Sequence, residues 1–123
     1  NLVMSFDIDD TLIDQNGRLI KPVYDLFMYV KHLGITPFII TNRSVDGLDY
    51  AKTQLVSFGL YEPGGWLRLR PHGIENPYEY KAWARHQAVE KGWNVVASIG
   101  DQPWDIGEYG GVGFIVPVQP YQS

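Results

Sequence analysis

Short apolar runs that stop abruptly in polar residues, separated by segments with helical spacing, restrict this chain more than any other feature of its sequence. Leu2-Val3-Met4-Ser5-Phe6 ends at the acidic stretch Asp7-Ile8-Asp9-Asp10-Thr11. Ile35 to Ile40 ends at Thr41-Asn42-Arg43-Ser44, and Trp93 to Ile99 ends at Gly100-Asp101. Apolar runs of this length mark strands buried on both faces, as in a parallel sheet. Parallel strands need crossovers, and the intervening segments supply helices. From Lys21-Pro22 to His32, Val23, Leu26, Phe27 and Val30 recur at spacings of three and four, with Pro22 near the start and Gly34 past the end. A second helix, capped by Ser44 or Asp46, aligns Leu48, Ala51, Leu55 and Phe58 before Gly59. A third runs from Tyr78 to Lys91 and closes at Gly92.

The remaining segments complete the pattern. Asn16-Gly17 between Leu12-Ile13 and Leu19-Ile20 predicts a small hairpin after the first strand. Trp66 to Arg70 alternates, with Leu67 and Leu69 opposed to Arg68 and Arg70, as an edge strand does. Residues 71–77 read as a loop, Pro103 to Tyr109 as a short helical turn, and Val112 to Val116 as a last strand. The expected fold is α/β: a doubly wound, Rossmann-like, mostly parallel sheet with helices on both faces. At 123 residues with 45% hydrophobic and 20% charged content, residues 1–123 are expected to form a single domain with a real core.

Lys+Arg 10 against Asp+Glu 14 leaves a net charge of −4, which disfavours general attraction to nucleic-acid phosphates. The absence of cysteine removes disulfides, thiolate metal sites and a thiol nucleophile. No apolar run approaches the roughly 20 residues that span a bilayer. No signal peptide is visible, so a cytoplasmic location is the expectation, although residue 1 is Asn and a removed leader stays open.

Ligands of an open parallel sheet bind outside the carboxyl ends of its strands. Asp7, Asp9, Thr41, Asp101 and Asp105 would all stand there, with Lys81 close by. Asp7 and Asp9 are two apart, so an extended backbone aims both toward one cavity. Close carboxylates repel unless a cation lies among them, and an all-oxygen set suits Mg²⁺.

These residues resemble the four motifs of the haloacid dehalogenase superfamily of aspartate-nucleophile phosphotransferases. Asp-x-Asp-x-Thr after a strand is Asp7-Ile8-Asp9-Asp10-Thr11, and the strand ending in Thr is Ile39-Ile40-Thr41. The helix lysine is Lys81, and Gly-Asp-x-x-x-Asp is Gly100-Asp101-Gln102-Pro103-Trp104-Asp105. The likeness extends from about Leu2 to Pro117. Asp-Ile-Asp-Asp-Thr-Leu, Thr-Asn-Arg, Tyr-Lys and Ile-Gly-Asp-Gln are most similar to the plant and bacterial acid phosphatase branch, which includes vegetative storage proteins.

The resemblance implies a Mg²⁺-dependent phosphomonoester hydrolase. In it Asp7 attacks phosphorus and Asp9 serves as general acid and then base. The Thr41 hydroxyl and the Asn42 backbone N–H hold phosphate oxygens, and Lys81 offsets charge. Asp7, the Asp9 carbonyl and Asp101 ligate Mg²⁺, with Asp105 ligating it or orienting its waters. Superfamily cap domains enter after the first motif or between the second and third, and neither interval here has room for one. The expected core is therefore uncapped, its partner a phosphorylated small molecule or a protruding phosphate of a larger one, with a homo-oligomer as an alternative cover for the site. Two other readings stand beside this one: a polynucleotide 3′-phosphatase, which the net charge opposes, and a catalytically weak storage or binding relative.

Several residues have blander readings. Asp10 suits a cap or turn, and Arg43 is as well explained by a surface ion pair as by a substrate phosphate. Arg68, Arg70 and His72 read as solvated edge charges before an anion patch. Trp104 reads as packed on the last strand, and His32 and His86 as structural.

Overall fold

The computed structural model describes residues 1–64 and 66–117. Five strands form one parallel sheet: β1 (Leu2–Phe6), β2 (Thr36–Ser44), β3 (Leu67–Arg70), β4 (Asn94–Gly100) and β5 (Val112–Ile115), in the order β3-β2-β1-β4-β5. The helices are α1 (Lys21–His32), α2 (Leu48–Ser57) and α3 (Pro77–Glu90). β1 is central, with Phe6 opposite Ile39 on one side and Ile99 on the other.

Alternation along the strands divides the core in two. Met4, Phe6 and Ile39 meet Val23, Phe27 and Val30 of α1 and Leu55 of α2. Val3, Phe38 and Ile40 face the opposite way, against Tyr80, Ala84 and Ala88 of α3. Both faces of β1 are thus covered, which is why its sequence is a continuous apolar run. The strand order reverses between β2 and β4, so β1 lies at the topological switch point where such sheets bind ligands.

The structure departs from the sequence reading in several places, among them the start of α2, where Ser44 caps a 3₁₀ turn at Val45–Gly47 and Gly47, not Ser44 or Asp46, precedes the helix. β2 does not stop at Ile40 but continues through Thr41 to Ser44, because Ser44 pairs with Arg70 of β3 after a register shift. The Asn16-Gly17 turn forms, but only Ile13 and Leu19 bridge across it. Leu12 and Ile13 turn into the core there instead of extending a strand. α3 begins one residue earlier than expected, since the Asn76 side chain accepts from the N–H groups of Tyr78 and Glu79 and Pro77 occupies the first turn. The helical turn after Asp101 is a single 3₁₀ turn, Pro103–Asp105, which ends where Ile106 is extended (φ −125°, ψ 176°).

Candidate active site

The Asp7 N–H donates to the Ile99 carbonyl at 3.1 Å, so β1–β4 pairing extends one residue past β1 and fixes Asp7 beside the end of β4. The chain then turns sharply. The Ile8 carbonyl accepts from the N–H groups of Thr11, Leu12 and Ile13, and Asp10 takes φ 59°. Buried Ile8, Leu12 and Ile13 anchor this turn. It leaves the fully buried Thr11 hydroxyl 3.4 Å from Asp7 Oδ2 and 3.5 Å from Asp101 Oδ1.

Asp101 follows β4 directly, and Asp105 returns to it across the 3₁₀ turn. Asp105 Oδ2 accepts from the Gln102 N–H at 3.1 Å. A side chain at residue 100 would obstruct this return, since a Cβ there would stand 2.2 Å from both Cβ and Oδ2 of Asp105. The glycine of Gly-Asp-x-x-x-Asp therefore has a steric reason.

Lys81 approaches from α3, itself only 2% exposed. Its Nζ lies 3.1 Å from Asp7 Oδ1 and 2.6 Å from Asp105 Oδ1, and it also donates to the Ile40 carbonyl. Asp105 Oδ1 has no aligned hydrogen bond despite that proximity. Asp7, Asp101 and Asp105 each offer a carboxylate oxygen within 4.8 Å of the others. One ammonium does not balance three carboxylates. Burial foremost pushes the Asp7 carboxyl up to about 8, against the pull of Lys81 and with Asp105 and a hydrogen bond to Asp101 adding to the rise. A carboxyl so disfavoured as an anion, an under-bonded buried oxygen and an all-oxygen donor set fit a hard divalent cation such as Mg²⁺.

The other predicted residues are placed less uniformly. Thr41 is fully buried at the β2 rim, where its hydroxyl oxygen accepts from the Arg43 N–H at 3.1 Å. Asn42 is exposed, and its carbonyl accepts from Arg70 Nε at 3.2 Å. The Asp9 carboxylate does not join the Asp7 cluster. Arg43 grips it with two hydrogen bonds of 2.9 and 2.7 Å, while the same guanidinium donates to Gln54 Oε1 at 2.8 Å. The ion-pair reading of Arg43 is thus the observed one. Trp104 meets Tyr78 of α3 edge-on at 5.5 Å. Its expected place on the last strand is taken by Ile106, which lies over Gly113. His86 pairs with Glu90 and stacks on Tyr109.

Two residues make contacts that the sequence alone does not assign. Thr11 was visible as the last residue of the Asp-x-Asp-x-Thr motif but had no assigned contact. Arg85 lies four residues beyond Lys81 on the same face of α3, and that spacing was its only signal.

Comparison with known proteins gives the family and the fold. The HAD superfamily subfamily IIIB (acid phosphatase) family matches residues 14–117, a span that includes Thr41, Lys81, Asp101 and Asp105 and begins after Asp7 and Asp9. Among solved structures, the class C acid phosphatase from Bacillus anthracis is similar in fold with a TM-score of 0.63 at 17% identity, over 86% of this chain and 53% of that one. A hypothetical protein from Pyrococcus horikoshii OT3 reaches a TM-score of 0.47 at 19% identity, over 80% of this chain and 33% of that one. The chain thus spans about half the length of the class C enzyme. No curated protein matches it. No helix among the described residues is long and apolar enough to cross a membrane. With its family matched over most of its length, the chain belongs to the HAD superfamily, subfamily IIIB, the acid phosphatases.

Proposed function

We propose that the chain is a Mg²⁺-dependent phosphomonoester hydrolase that works through an aspartyl-phosphate on Asp7. The observation that carries this reading is the convergence of Asp7, Asp101 and Asp105 at the carboxyl end of the central strand, with Lys81 between Asp7 and Asp105. Asp7, Asp101 and Asp105, with the Asp9 carbonyl, would hold the cation, which supplies the positive charge that lets a phosphate dianion approach a carboxylate. Asp7 attacks phosphorus through a carboxylate oxygen, and the P–O bond to the leaving alcohol breaks. Asp9 gives its proton to the departing oxygen. It then takes a proton from the water that cleaves the acyl phosphate, and inorganic phosphate and free Asp7 result. Thr41, the Asn42 N–H and Lys81 orient the phosphoryl oxygens as charge develops on them.

The Asp9–Arg43 pair bears on this sequence of steps, because Asp9 must leave Arg43 to act on a leaving group. The chain places only residues 7–20 between β1 and α1. An open site of this kind suits a phosphate carried on a protruding or bulky molecule.

Hydrolysis of p-nitrophenyl phosphate with Mg²⁺ and with EDTA, by the wild type and by Asp7→Asn, tests the proposal. Turnover with Mg²⁺ alone, lost in the variant with the fold intact by circular dichroism, is expected. Full activity in EDTA or in Asp7→Asn would refute it.

A further inference from the structure

Arg85 is 2% exposed, and among the described residues it makes no ion pair. A buried guanidinium without a carboxylate partner must place its donors elsewhere. Each of its three nitrogens donates to one stretch of backbone. Nε donates to the Glu108 carbonyl at 2.7 Å, Nη1 to Trp104 at 3.1 Å and Nη2 to Ile106 at 3.3 Å. Three alternate carbonyls thus turn inward around a single planar group.

That stretch has little regular secondary structure, and its other contacts are local: the Gln102 N–H donates to Asp105, Trp104 meets Tyr78 and Ile106 lies over Gly113. Between β4 and β5 there is only the 3₁₀ turn Pro103–Asp105, and Gly107, Tyr109 and Gly111 all have positive φ. At Tyr109, the non-glycine among them, such backbone persists only where its surroundings over-determine it. The carbonyls of such a loop need donors, and a five-donor planar fork supplies several at fixed angles, which an ammonium on a flexible stem does not. The same loop carries Asp105, and Asp101 stands at its start. Lys81, one helical turn earlier on α3, grips the Asp105 carboxylate while Arg85 grips the backbone on either side of it.

We propose that Arg85 is a positioning residue for the acidic loop: its guanidinium is the template around which residues 104–108 fold, and this fixes Asp105 and Asp101 at the separation a divalent cation requires. The inference rests on the reading of Asp7, Asp101 and Asp105 as a cation site. Arg85 itself touches neither the carboxylates of that site nor any position proposed for substrate.

The test uses the full chain, with Mn²⁺ as a paramagnetic probe titrated by electron spin resonance without substrate, and amide hydrogen exchange followed by mass spectrometry. For Arg85→Gln the expected result is a Mn²⁺ dissociation constant raised about 10- to 100-fold, the usual effect of losing support behind a metal ligand. Exchange should quicken over residues 102–110 and stay slow in β1 and α1. Turnover of p-nitrophenyl phosphate at saturating Mg²⁺ should remain within about threefold of wild type, a split that general damage to the fold does not produce. Arg85→Lys keeps the charge but not the fork, and should behave like Arg85→Gln rather than like wild type. Wild-type Mn²⁺ affinity in Arg85→Gln, or full rescue by Arg85→Lys, would overturn the proposal. So would failure of both variants to fold, since an arginine needed only for stability would then suffice. Absence of Mn²⁺ binding in the wild type would instead defeat the cation-site reading, and the exchange pattern would decide on the loop by itself.

Discussion

Gly100→Ala is the sharpest single perturbation of the site. The added methyl carbon would lie 2.2 Å from Asp105 Cβ and 2.3 Å from its Cγ, where ordinary contact begins near 3.4 Å. Asp105 must therefore retreat by at least about 1 Å. Rotation of its carboxylate does not suffice, because the clash includes its own Cβ, so the backbone of the 3₁₀ turn has to move. That retreat opens the 2.6 Å approach to Lys81 and the Gln102 N–H bond together. Breaking a buried ion pair costs about 3–5 kcal/mol and overpacking about 1–3, and the two overlap here because relieving the clash is what breaks the pair. The expected loss is about 3–5 kcal/mol in urea unfolding with an unchanged m-value. Mg²⁺ affinity should fall with it. Gly47→Ala is the control: its Cβ would meet nothing within 4 Å and its φ is −96°. It should stay within about 1 kcal/mol of wild type, a weaker cap set against a stiffer unfolded chain. If Gly100→Ala matched Gly47→Ala in stability and bound Mg²⁺ normally, the steric account of the motif glycine would be wrong.

Three further outcomes are expected. Asp9→Asn should release about one p-nitrophenolate per site in a burst and then stall, while alkyl phosphates barely react, because acid assistance matters most for basic leaving groups. Equal small losses on both substrate types with no burst would make Asp9 a spectator. In EDTA, stability should fall as pH rises from about 4 to about 8. Asp7 ionises in the unfolded chain near 3.8 but at about 8 when folded, so the native state holds the extra proton across that window and loses the benefit as pH passes the folded value. The ceiling is on the order of 5 kcal/mol, four decades of proton affinity at roughly 1.4 kcal/mol each, and Asp7→Asn should flatten this part of the pH profile. An unchanged slope in the variant would assign the effect to another group. Lys81→Met, which removes a cation 2% exposed between Asp7 and Asp105, should destabilise by about 3–5 kcal/mol at pH 8. The loss should be smaller at pH 5, where a carboxyl can take a proton in place of the lost charge. Equal loss at both pH values would mean that packing of the stem, not charge, is what Lys81 contributes.

The elements read correctly from sequence were those in which one physical signal acted alone. β1 and α1 match their predicted limits because continuous burial sets the first and apolar spacing bounded by Pro22 and Gly34 sets the second. The end of β2 was not legible, since Thr41 to Ser44 looks like any polar loop until β3 supplies Arg70 as a partner. Asn76-Pro77 was a readable helix start, lost among the prolines and glycine of residues 71–77. Asp7 and Asp101 each directly follow a strand, a local relation that sequence displays, whereas the Asp9 carboxylate, expected in the same cavity, is turned away onto Arg43. Arg43 on Asp9, across 34 positions, and Arg85 on three carbonyls were not legible. Such contacts belong to the packing of distant segments, and no short window of sequence contains them.

The central place of β1 has a consequence for how the protein is made. β1 leaves the ribosome before both of its partners and pairs on one side with residues 36–39 and on the other with residues 94–99. Synthesis at about 5–20 residues per second leaves roughly 5–20 s between the emergence of β1 and that of β4. During this interval β1, β2 and β3 can assemble with the helices, yet the second edge of β1 stays bare and Asp7 has neither Asp101 nor Asp105 beside it. A nascent chain arrested before β4 would therefore expose an unpaired edge of β1 and lack two of the three carboxylates of the candidate site.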